Sequence, residues 1–197
     1  MLYKCITKLL CIRLKEVLPH RIDAGQGAFV KGRELLYNVM LCQDLARGYS
    51  RKHNSPCCIM KIGIHKAFDS VHWAFLKELL NSLKFPPLFT QWIMTCITSV
   101  QFSININGQQ GPFFKGKRGL KRGDPLSPLL FVLAMEYLSR LFRHASLTPR
   151  FVLHPHCEKM GLTHLQFADD LILFCKAHPS SVRIMMEAFT SLHYVQV

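Results

Sequence analysis

Two adjacent aspartates interrupt an otherwise apolar stretch, LTHLQFADDLILFC, at residues 162–175. The apolar runs on either side have the length of short buried strands, and Ala168, Asp169 and Asp170 stand where the chain would turn between them. Neighbouring carboxylates between buried strands are unfavourable unless a cation compensates them. The stretch therefore predicts a β-hairpin, with either a metal site or an exposed Asp-Asp turn at its tip.

A second apolar run, CCIMKIGI at residues 57–64, follows Pro56 and is rich in isoleucine. It predicts a central strand. The apolar stripe in SVHWAFLKELLNSL, residues 70–83, predicts that a helix follows, and Asp69 or Ser70 is the expected N-cap.

The segment QFSININGQQGPFF, residues 101–114, alternates apolar and polar residues before the pair Asn107-Gly108. Asn-Gly is the strongest short signal for a tight hairpin. It leads into FKGKRGLKRGDP, whose cations stand among glycines, a composition that suits a loop approaching phosphates closely. These cations are Lys115, Lys117, Arg118, Lys121 and Arg122.

The remaining segments predict mainly helices. Helical spacing at residues 2–17 precedes a glycine-containing loop at 19–35, which we expect to present Lys31 and Arg33, and a second helix at 35–49 precedes a polar connection at 51–56. Ser127 is the expected N-cap of a long buried helix, with Pro128 at its first position. Together the pattern predicts an α+β fold with helices on one face of a small antiparallel sheet.

The chain of 197 residues carries a net charge of +13 and has a pI near 9.6. Such an excess attracts polyanions, so nucleic acid is the leading class of partner. The eight cysteines show no Cys-x-x-Cys pair and predict reduced thiols of an intracellular protein. Residues 154–157, HPHC, offer half a zinc site without a second pair of ligands. No apolar run approaches the ~20 residues that span a bilayer, so we expect no membrane anchor.

Five of these blocks occur in an order that resembles the reverse transcriptases of non-LTR retrotransposons of the LINE type, the plant elements in particular. They are QGAFVKGRELLYNVMLCQDL, KIGIHKAFDSVHWAFL, FSININGQQGPFFKGKRG, RGLKRGDPLSPLLF and LTHLQFADDLILFCK. The resemblance implies part of a reverse transcriptase domain, with fingers at residues 1–56 and mainly palm at 57–197, the hairpin and basic loop lying at 101–124. It also implies that the thumb is absent from this sequence.

The resemblance implies an RNA-directed DNA polymerase that uses an RNA template and a DNA primer. Enzymes of this kind transfer nucleotides with two Mg²⁺ (or Mn²⁺) ions, which three aspartates hold. Asp169 and Asp170 match two of those positions, Asp169 as the expected ligand of both ions. Gly63 occupies the third position and offers no side chain.

Neither acidic nor imidazole neighbours are expected to replace the carboxylate missing at Gly63. Asp69 lies up to ~20 Å further along an extended chain, and His65, ~7 Å along the same strand face, carries a nitrogen ligand that suits Mg²⁺ poorly. Because removing one member of a catalytic set costs orders of magnitude in rate, the sequence predicts absent or residual polymerase activity and weak metal binding.

The resemblance also assigns contacts to the incoming nucleotide and to nucleic acid. Phe68 matches an aromatic gate against the ribose 2′-hydroxyl, a role compatible with a core aromatic. Arg122 replaces a glutamine of the family, so a cation stands where an amide acceptor is usual. The nucleotide-binding candidates are Phe68, Lys31, Arg33, Arg122 and Gly123, and the nucleic-acid-binding candidates are Lys115, Lys117, Arg118 and Lys121. Lys31 and Arg33 have surface charge as their alternative role.

Three functional hypotheses remain from the sequence. The chain is a working polymerase fragment, a catalytically silent palm that binds nucleic acid, or a decayed product without function. Metal-dependent primer extension, salt-dependent binding without extension, and loss of cooperative unfolding distinguish them. The sequence leaves the oligomeric state open.

Overall fold

A computed structural model describes residues 2–47, 49 and 56–196. Its main sheet has three antiparallel strands in the order β1-β7-β6, and two short hairpin ladders, β2-β5 and β3-β4, lie outside it. The predicted connection at 51–56 lies almost wholly outside the described residues. The helices are α1 (Leu2–Arg21), α2 (Leu35–Ala46), α3 (Ala67–Ser70), α4 (Trp73–Ser82), α5 (Pro87–Thr98), α6 (Ser127–Ser146) and α7 (Pro179–Gln196), with a 3₁₀ helix at Pro155–Met160. The strands are β1 (Cys57–Gly63), β2 (Gln101–Phe102), β3 (Asn105–Ile106), β4 (Gln109–Gln110), β5 (Phe114–Lys115), β6 (His164–Phe167) and β7 (Asp170–Lys176).

The sheet has β7 at its centre, so the prediction of a central strand at residues 57–64 is wrong. β1 pairs with β7 alone and forms an edge of the sheet. Most of β1 is only half-buried, whereas Leu171, Leu173, Phe174 and Cys175 of β7 are fully buried. Strand β1 is apolar because residues on both of its faces pack against the protein. A strand covered on both faces has the same apolar sequence at an edge of the sheet as in its centre, so the sequence does not distinguish the two positions.

The main hydrophobic core lies between one face of the sheet and the helices. Alternate residues of β7, Leu171 and Leu173, meet the long helix α6 there, and Phe131 and Leu133 of α6 are fully buried. The predicted α+β fold with a helix-covered sheet is therefore confirmed. The opposite face is also partly covered, by a smaller cluster of Leu45, Cys157, Leu165 and Phe174.

The Asn-Gly turn forms where the sequence predicts it. Asn107 and Gly108 both have positive φ, 51° and 82°, between β3 and β4. Two consecutive positive φ angles give a turn whose twist matches that of the flanking strands, and asparagine and glycine accept them at little steric cost. The strand before this hairpin, β2, and the strand after it, β5, also pair with each other.

Helix boundaries differ from the predictions at two caps. Asp69 lies inside the short helix α3, and His72 precedes α4 without a side-chain cap, so the prediction of Asp69 or Ser70 as N-cap is wrong. Ser127 is the first residue of α6 and Leu126 is its N-cap, so the prediction of Ser127 as N-cap is wrong. The Asp124 carboxylate accepts a hydrogen bond from the Leu126 N–H at 2.9 Å.

The N-terminal helix α1 extends through Pro19 to Arg21, so the loop predicted at 19–35 begins later than the sequence indicates. Its buried face consists of Thr7, Leu10, Cys11, Leu14 and Leu18. Among the described residues, no helix is long and apolar enough to cross a membrane.

Candidate functional site: an acidic hairpin beside a basic loop

The strand register places Gly63 directly opposite Asp170. Residues that are directly opposite in an antiparallel pair project to the same face, so a side chain at position 63 would lie beside the Asp170 carboxylate. Apart from its two chain neighbours, no described residue has an atom within 4 Å of a Cβ built on Gly63, and the φ of Gly63 lies outside the left-handed region. Lys61, two residues earlier on that face, places its ammonium 3.6 Å from the Asp170 carboxylate, with both side chains largely exposed.

Asp169 lies in the tight turn between β6 and β7, where Ala168 has a φ of 55°. Its carbonyl accepts a hydrogen bond from the Ile64 N–H at 3.3 Å, which ties the turn to the end of β1. We call β6, this turn and β7 the acidic hairpin, residues 164–176. The structure therefore brings Asp169, Asp170 and Gly63 to one end of the sheet, as expected from the sequence.

A cleft of about 430 Å³ opens beside Asp169. Phe68, Arg122 and Gly123 line it together with Asp169, so three of the predicted nucleotide-binding residues lie at one place. The Phe68 ring stacks on the buried Phe131 ring with centroids 4.5 Å apart, which fixes Phe68 from below. Phe68 therefore packs on the core and also lines the cleft, while its role as a gate against the ribose 2′-hydroxyl stays a prediction.

The basic loop, residues 115–124, is anchored to the end of α3 and the start of α4. The Gly119 N–H donates to the Val71 carbonyl and the Leu120 N–H to the Phe68 carbonyl, both at 2.8 Å. Gly119 has a φ of 88°, and a Cβ there would lie 3.0 Å from the Asp69 carbonyl oxygen, so the close approach needs glycine.

The cations of this loop point mostly to solvent. Lys115, Lys117, Arg118 and Lys121 are exposed, as a phosphate-binding role requires. Arg122 lies 3.2 Å from the Asp69 carboxylate in a pair that is more than half exposed. A pair of this kind contributes little to the stability of the fold.

The two cations predicted in the first loop have different surroundings. Lys31 is exposed. Arg33 is half-buried, and its guanidinium donates to the carbonyls of Asp23, Gln26 and Ile22, and more distantly to that of Pro19. The expectation that the loop presents Arg33 is therefore wrong, because its donors hold the loop's own backbone. Burial lowers the pKa of Arg33, with Asp23 and Glu136 opposing that effect.

Two residues that support the site were not singled out from the sequence. Gln26, 1% exposed, accepts the Ala168 N–H at 3.2 Å and donates to Gln166 at 3.1 Å, so it fixes the turn of the acidic hairpin. Gly25 flanks it, and a Cβ there would lie 2.7 Å from the His164 carbonyl oxygen. The sequence AGQGAF, in which two glycines flank a glutamine, is the local pattern that could have indicated the role of Gln26.

The second such residue is Asp124, which is 7% exposed at the end of the basic loop. Its carboxylate accepts a short hydrogen bond from the Tyr3 hydroxyl and another from the Leu126 N–H. Burial, followed by this contact with Asp124, raises the pKa of Tyr3 above its ordinary value. Asp124 thereby joins α1, the basic loop and the start of α6.

Metal-ligating side chains do not converge in the part of the chain that the structure describes. No group of three or more histidine, cysteine, aspartate or glutamate side chains there is placed to hold an ion. At the predicted half zinc site, His154 is buried and accepts a hydrogen bond from the His156 N–H at 3.3 Å. At the acidic hairpin, Asp169 and Asp170 supply two carboxylates, and Gly63 opposite Asp170 supplies none.

The comparison with protein families decides what this arrangement is. Residues 1–195 match the model of the reverse transcriptase (RNA-dependent DNA polymerase) family. The chain belongs to the reverse transcriptase family. A match over this length also accounts for the acidic hairpin, the aromatic cleft wall and the basic loop as parts of one domain.

Two relatives place this reverse transcriptase domain with those of non-LTR retrotransposons. The chain is 32% identical over 171 residues to the transposon TX1 uncharacterized 149 kDa protein of Xenopus laevis, covering 87% of this chain and 13% of that protein. It is 34% identical over 136 residues to the Pol polyprotein of the type-2 retrotransposable element R2DM of Drosophila melanogaster, covering 68% and 12%. The chain thus spans a small part of the length of these relatives.

The fold is shared with a solved telomerase structure. The telomerase of Candida tropicalis in complex with the TWJ fragment of telomeric RNA superposes with a TM-score of 0.63 at 14% identity, over 97% of this chain and 31% of that one. At this identity the likeness concerns the fold alone. It agrees with the α+β architecture of sheet, hairpins and long buried helix described above.

Proposed function

We propose that this reverse transcriptase domain binds an RNA template and a DNA primer but has lost nucleotide transfer. The observation that carries the proposal is the pairing of Gly63 with Asp170, because it leaves a gap in the carboxylate set at the place where the family carries an aspartate. Catalytic groups that act as a unit lose orders of magnitude in rate when one member is removed.

The neighbours of Gly63 support loss rather than replacement. Asp69 is held by Arg122 at 3.2 Å on the side of the basic loop. Lys61 brings an ammonium within 3.6 Å of Asp170, so a cation from the protein stands where the family uses metal charge. An ammonium neutralises a carboxylate but does not coordinate a phosphate oxygen and a hydroxyl together, as a divalent ion does.

Charge supports retained binding of nucleic acid. The net charge of +13 is concentrated partly in an exposed loop whose backbone is fixed by hydrogen bonds. Cations that contact phosphates release counterions, so the affinity should fall steeply with salt. A telomerase of the same fold has been solved with bound RNA, which supports RNA as a partner of this chain as well.

The test is DNA synthesis on a primed RNA template with Mg²⁺ or Mn²⁺, with binding of the same primer-template measured alongside. The unmodified chain is compared with Gly63→Asp and with Gly63→Asp combined with Asp170→Ala. A further variant, Gly63→Asn, introduces a side chain of nearly the same shape as aspartate but without its charge. The first atom of either side chain enters without displacing a described residue, since a Cβ built on Gly63 meets nothing within 4 Å outside its chain neighbours. We expect incorporation only with Gly63→Asp, and salt-dependent binding by all four proteins.

Other outcomes would contradict specific parts of the proposal. Incorporation by the unmodified chain would mean that the acidic hairpin is sufficient without a third carboxylate. Silence in all four proteins, with binding intact, would place the cause of inactivity somewhere other than Gly63. Absence of binding in low salt would refute the nucleic-acid-binding function itself.

A further inference from the structure

A second cleft beside the basic loop shares Arg122 and Ser127 with the cleft at Asp169. It encloses about 370 Å³, at the small end of the roughly 300–1,000 Å³ that is usual for ligand sites. Three aromatic side chains from three separate elements line it: Tyr3 of α1, Trp73 of α4 and Phe102 of β2. The basic loop supplies six more of its lining residues, 118–122 and Asp124.

The aromatic walls of this cleft are held in place by the protein. The Trp73 indole N–H donates to the Gly119 carbonyl at 2.7 Å. Gly116 lies against two of the three rings, since a Cβ built on it would be 3.3 Å from Phe102 and 3.5 Å from Trp73. The Tyr3 hydroxyl is fixed by Asp124. Fixed rings lose little conformational entropy when they stack on a ligand.

The charges at the cleft leave an excess of cations. Both lining carboxylates are already engaged, Asp69 with Arg122 and Asp124 with the Tyr3 hydroxyl and a backbone N–H. Arg118 and Lys121 are exposed, and within the described residues neither belongs to a salt bridge. Lys121 lies with its ammonium 5.9 Å from the centre of the Tyr3 ring.

We propose that this cleft binds one unpaired nucleotide of single-stranded nucleic acid, its base stacked on Trp73 and Phe102 and its phosphate held by Arg118 and Lys121. Aromatic platforms beside a track of cations are how proteins bind single strands without reading their sequence. The volume suits one nucleotide and excludes a duplex. The inference rests on the proposed function, since it locates one contact of the nucleic acid that the domain binds.

The chain offers a direct optical test, because Trp73 and Trp92 are its two tryptophans. Trp92 lies on α5 outside the cleft and is 41% exposed, so Trp92→Phe leaves Trp73 as the sole indole reporter. This variant is titrated with oligo-U, with oligo-dT, and with an abasic oligonucleotide of equal length and charge. We expect oligo-U and oligo-dT to quench Trp73 fluorescence, and the abasic strand to bind more weakly without quenching.

A substitution in the cleft gives a second, independent measurement. Phe102→Ala should weaken binding of oligo-U roughly 5-fold or more, because one stacked ring is removed, and should leave affinity for the abasic strand unchanged. Phe113→Ala is the matched control. Phe113 belongs to the same hairpin region and is 66% exposed, but it does not line the cleft.

The outcomes separate this inference from the function on which it rests. The stacking site would be overturned, and the binding function left standing, by one result. In it, all strands bind in a salt-dependent way without quenching, and the abasic strand binds as tightly as oligo-U and oligo-dT. Quenching by only one of oligo-U and oligo-dT would support the cleft and assign it to that type of strand. Failure to bind any strand at low salt would overturn both proposals.

Discussion

The acidic hairpin and the basic loop face the same cleft at Phe68. We expect glycine in place of aspartate at position 63 to affect the functions of these two regions very differently. Two-ion chemistry needs oxygen donors that converge on one point, so under the proposed function the single carboxylate missing at Gly63 disables the whole set. Phosphate binding is spread over several exposed cations, and each contributes one share of the affinity. Concentrated sites are therefore fragile, whereas distributed sites lose function gradually.

The framework beneath both regions is intact, and this makes the comparison testable. The loop is fixed by backbone hydrogen bonds and by Asp124, and the hairpin by Gln26 and the β1-β7 ladder.

The largest expected effect is at the anchor of the basic loop. Asp124→Ala removes a carboxylate that accepts hydrogen bonds from the Tyr3 hydroxyl and the Leu126 N–H. At roughly 1.5 kcal/mol for each bond to a charged group, unfolding should become easier by about 3 kcal/mol in a urea titration. Asp44→Ala, whose exposed pair with Arg47 contributes little, is the control. A change of less than 1 kcal/mol for Asp124→Ala would show that the loop does not depend on this anchor.

A smaller effect is expected at the base of the acidic hairpin when the pH falls. Burial lowers the pKa of His164 to about 4, with Asp23 opposing and Arg143 reinforcing the shift. The unfolded chain takes up this proton near pH 6.5 and the folded chain does not, so stability is lost as the pH falls from 6.5 towards 4. We expect a loss of about 2 kcal/mol between pH 7 and pH 5 in urea titrations.

The matched variants for this pH effect are His164→Gln and His144→Gln. His164 is 3% exposed between Thr163 and Ser139, whereas His144 is exposed on α6. Replacing His164 should flatten the pH dependence of stability, and replacing His144 should leave it unchanged. The same slope in all three proteins would assign the effect to other groups.

The smallest effect concerns the cost of filling the gap. In chelator, Gly63→Asp should destabilise the fold by roughly 0.2–1 kcal/mol, because two carboxylates then lie directly opposite each other. Mn²⁺ should reverse this loss for Gly63→Asp by binding the folded state, and should leave the melting temperature of Gly63→Asn unchanged. Equal responses of the two variants to Mn²⁺ would show that the restored carboxylate does not complete a metal site.

The sequence was sufficient where structure depends on local signals. The turn at Asn107-Gly108 and the acidic hairpin are set by backbone preferences and by apolar runs next to a turn, and both formed as predicted. It was insufficient where non-local pairing decides. The edge position of β1 depends on which strands pair, and the inward guanidinium of Arg33 depends on carbonyls that the folded loop brings together.

The candidate site shows the same division. Resemblance supplied Asp169, Asp170, the gap at Gly63 and the basic residues, because these stand in recognisable blocks of sequence. The supporting residues Gln26 and Asp124 were missed, since their partners lie more than a hundred residues away along the chain. A polar side chain that supports a distant turn leaves no periodic or spacing signal.

The space above Gly63 also has a genetic meaning. Among the described residues outside its chain neighbours, no atom lies within 4 Å of a Cβ built there, so the fold leaves room for the first atom of a side chain. Glycine and aspartate codons can differ by a single nucleotide. An element carrying this chain therefore keeps the lost carboxylate one point mutation away, and a lineage of such copies can regain it by reversion or by recombination with an intact relative.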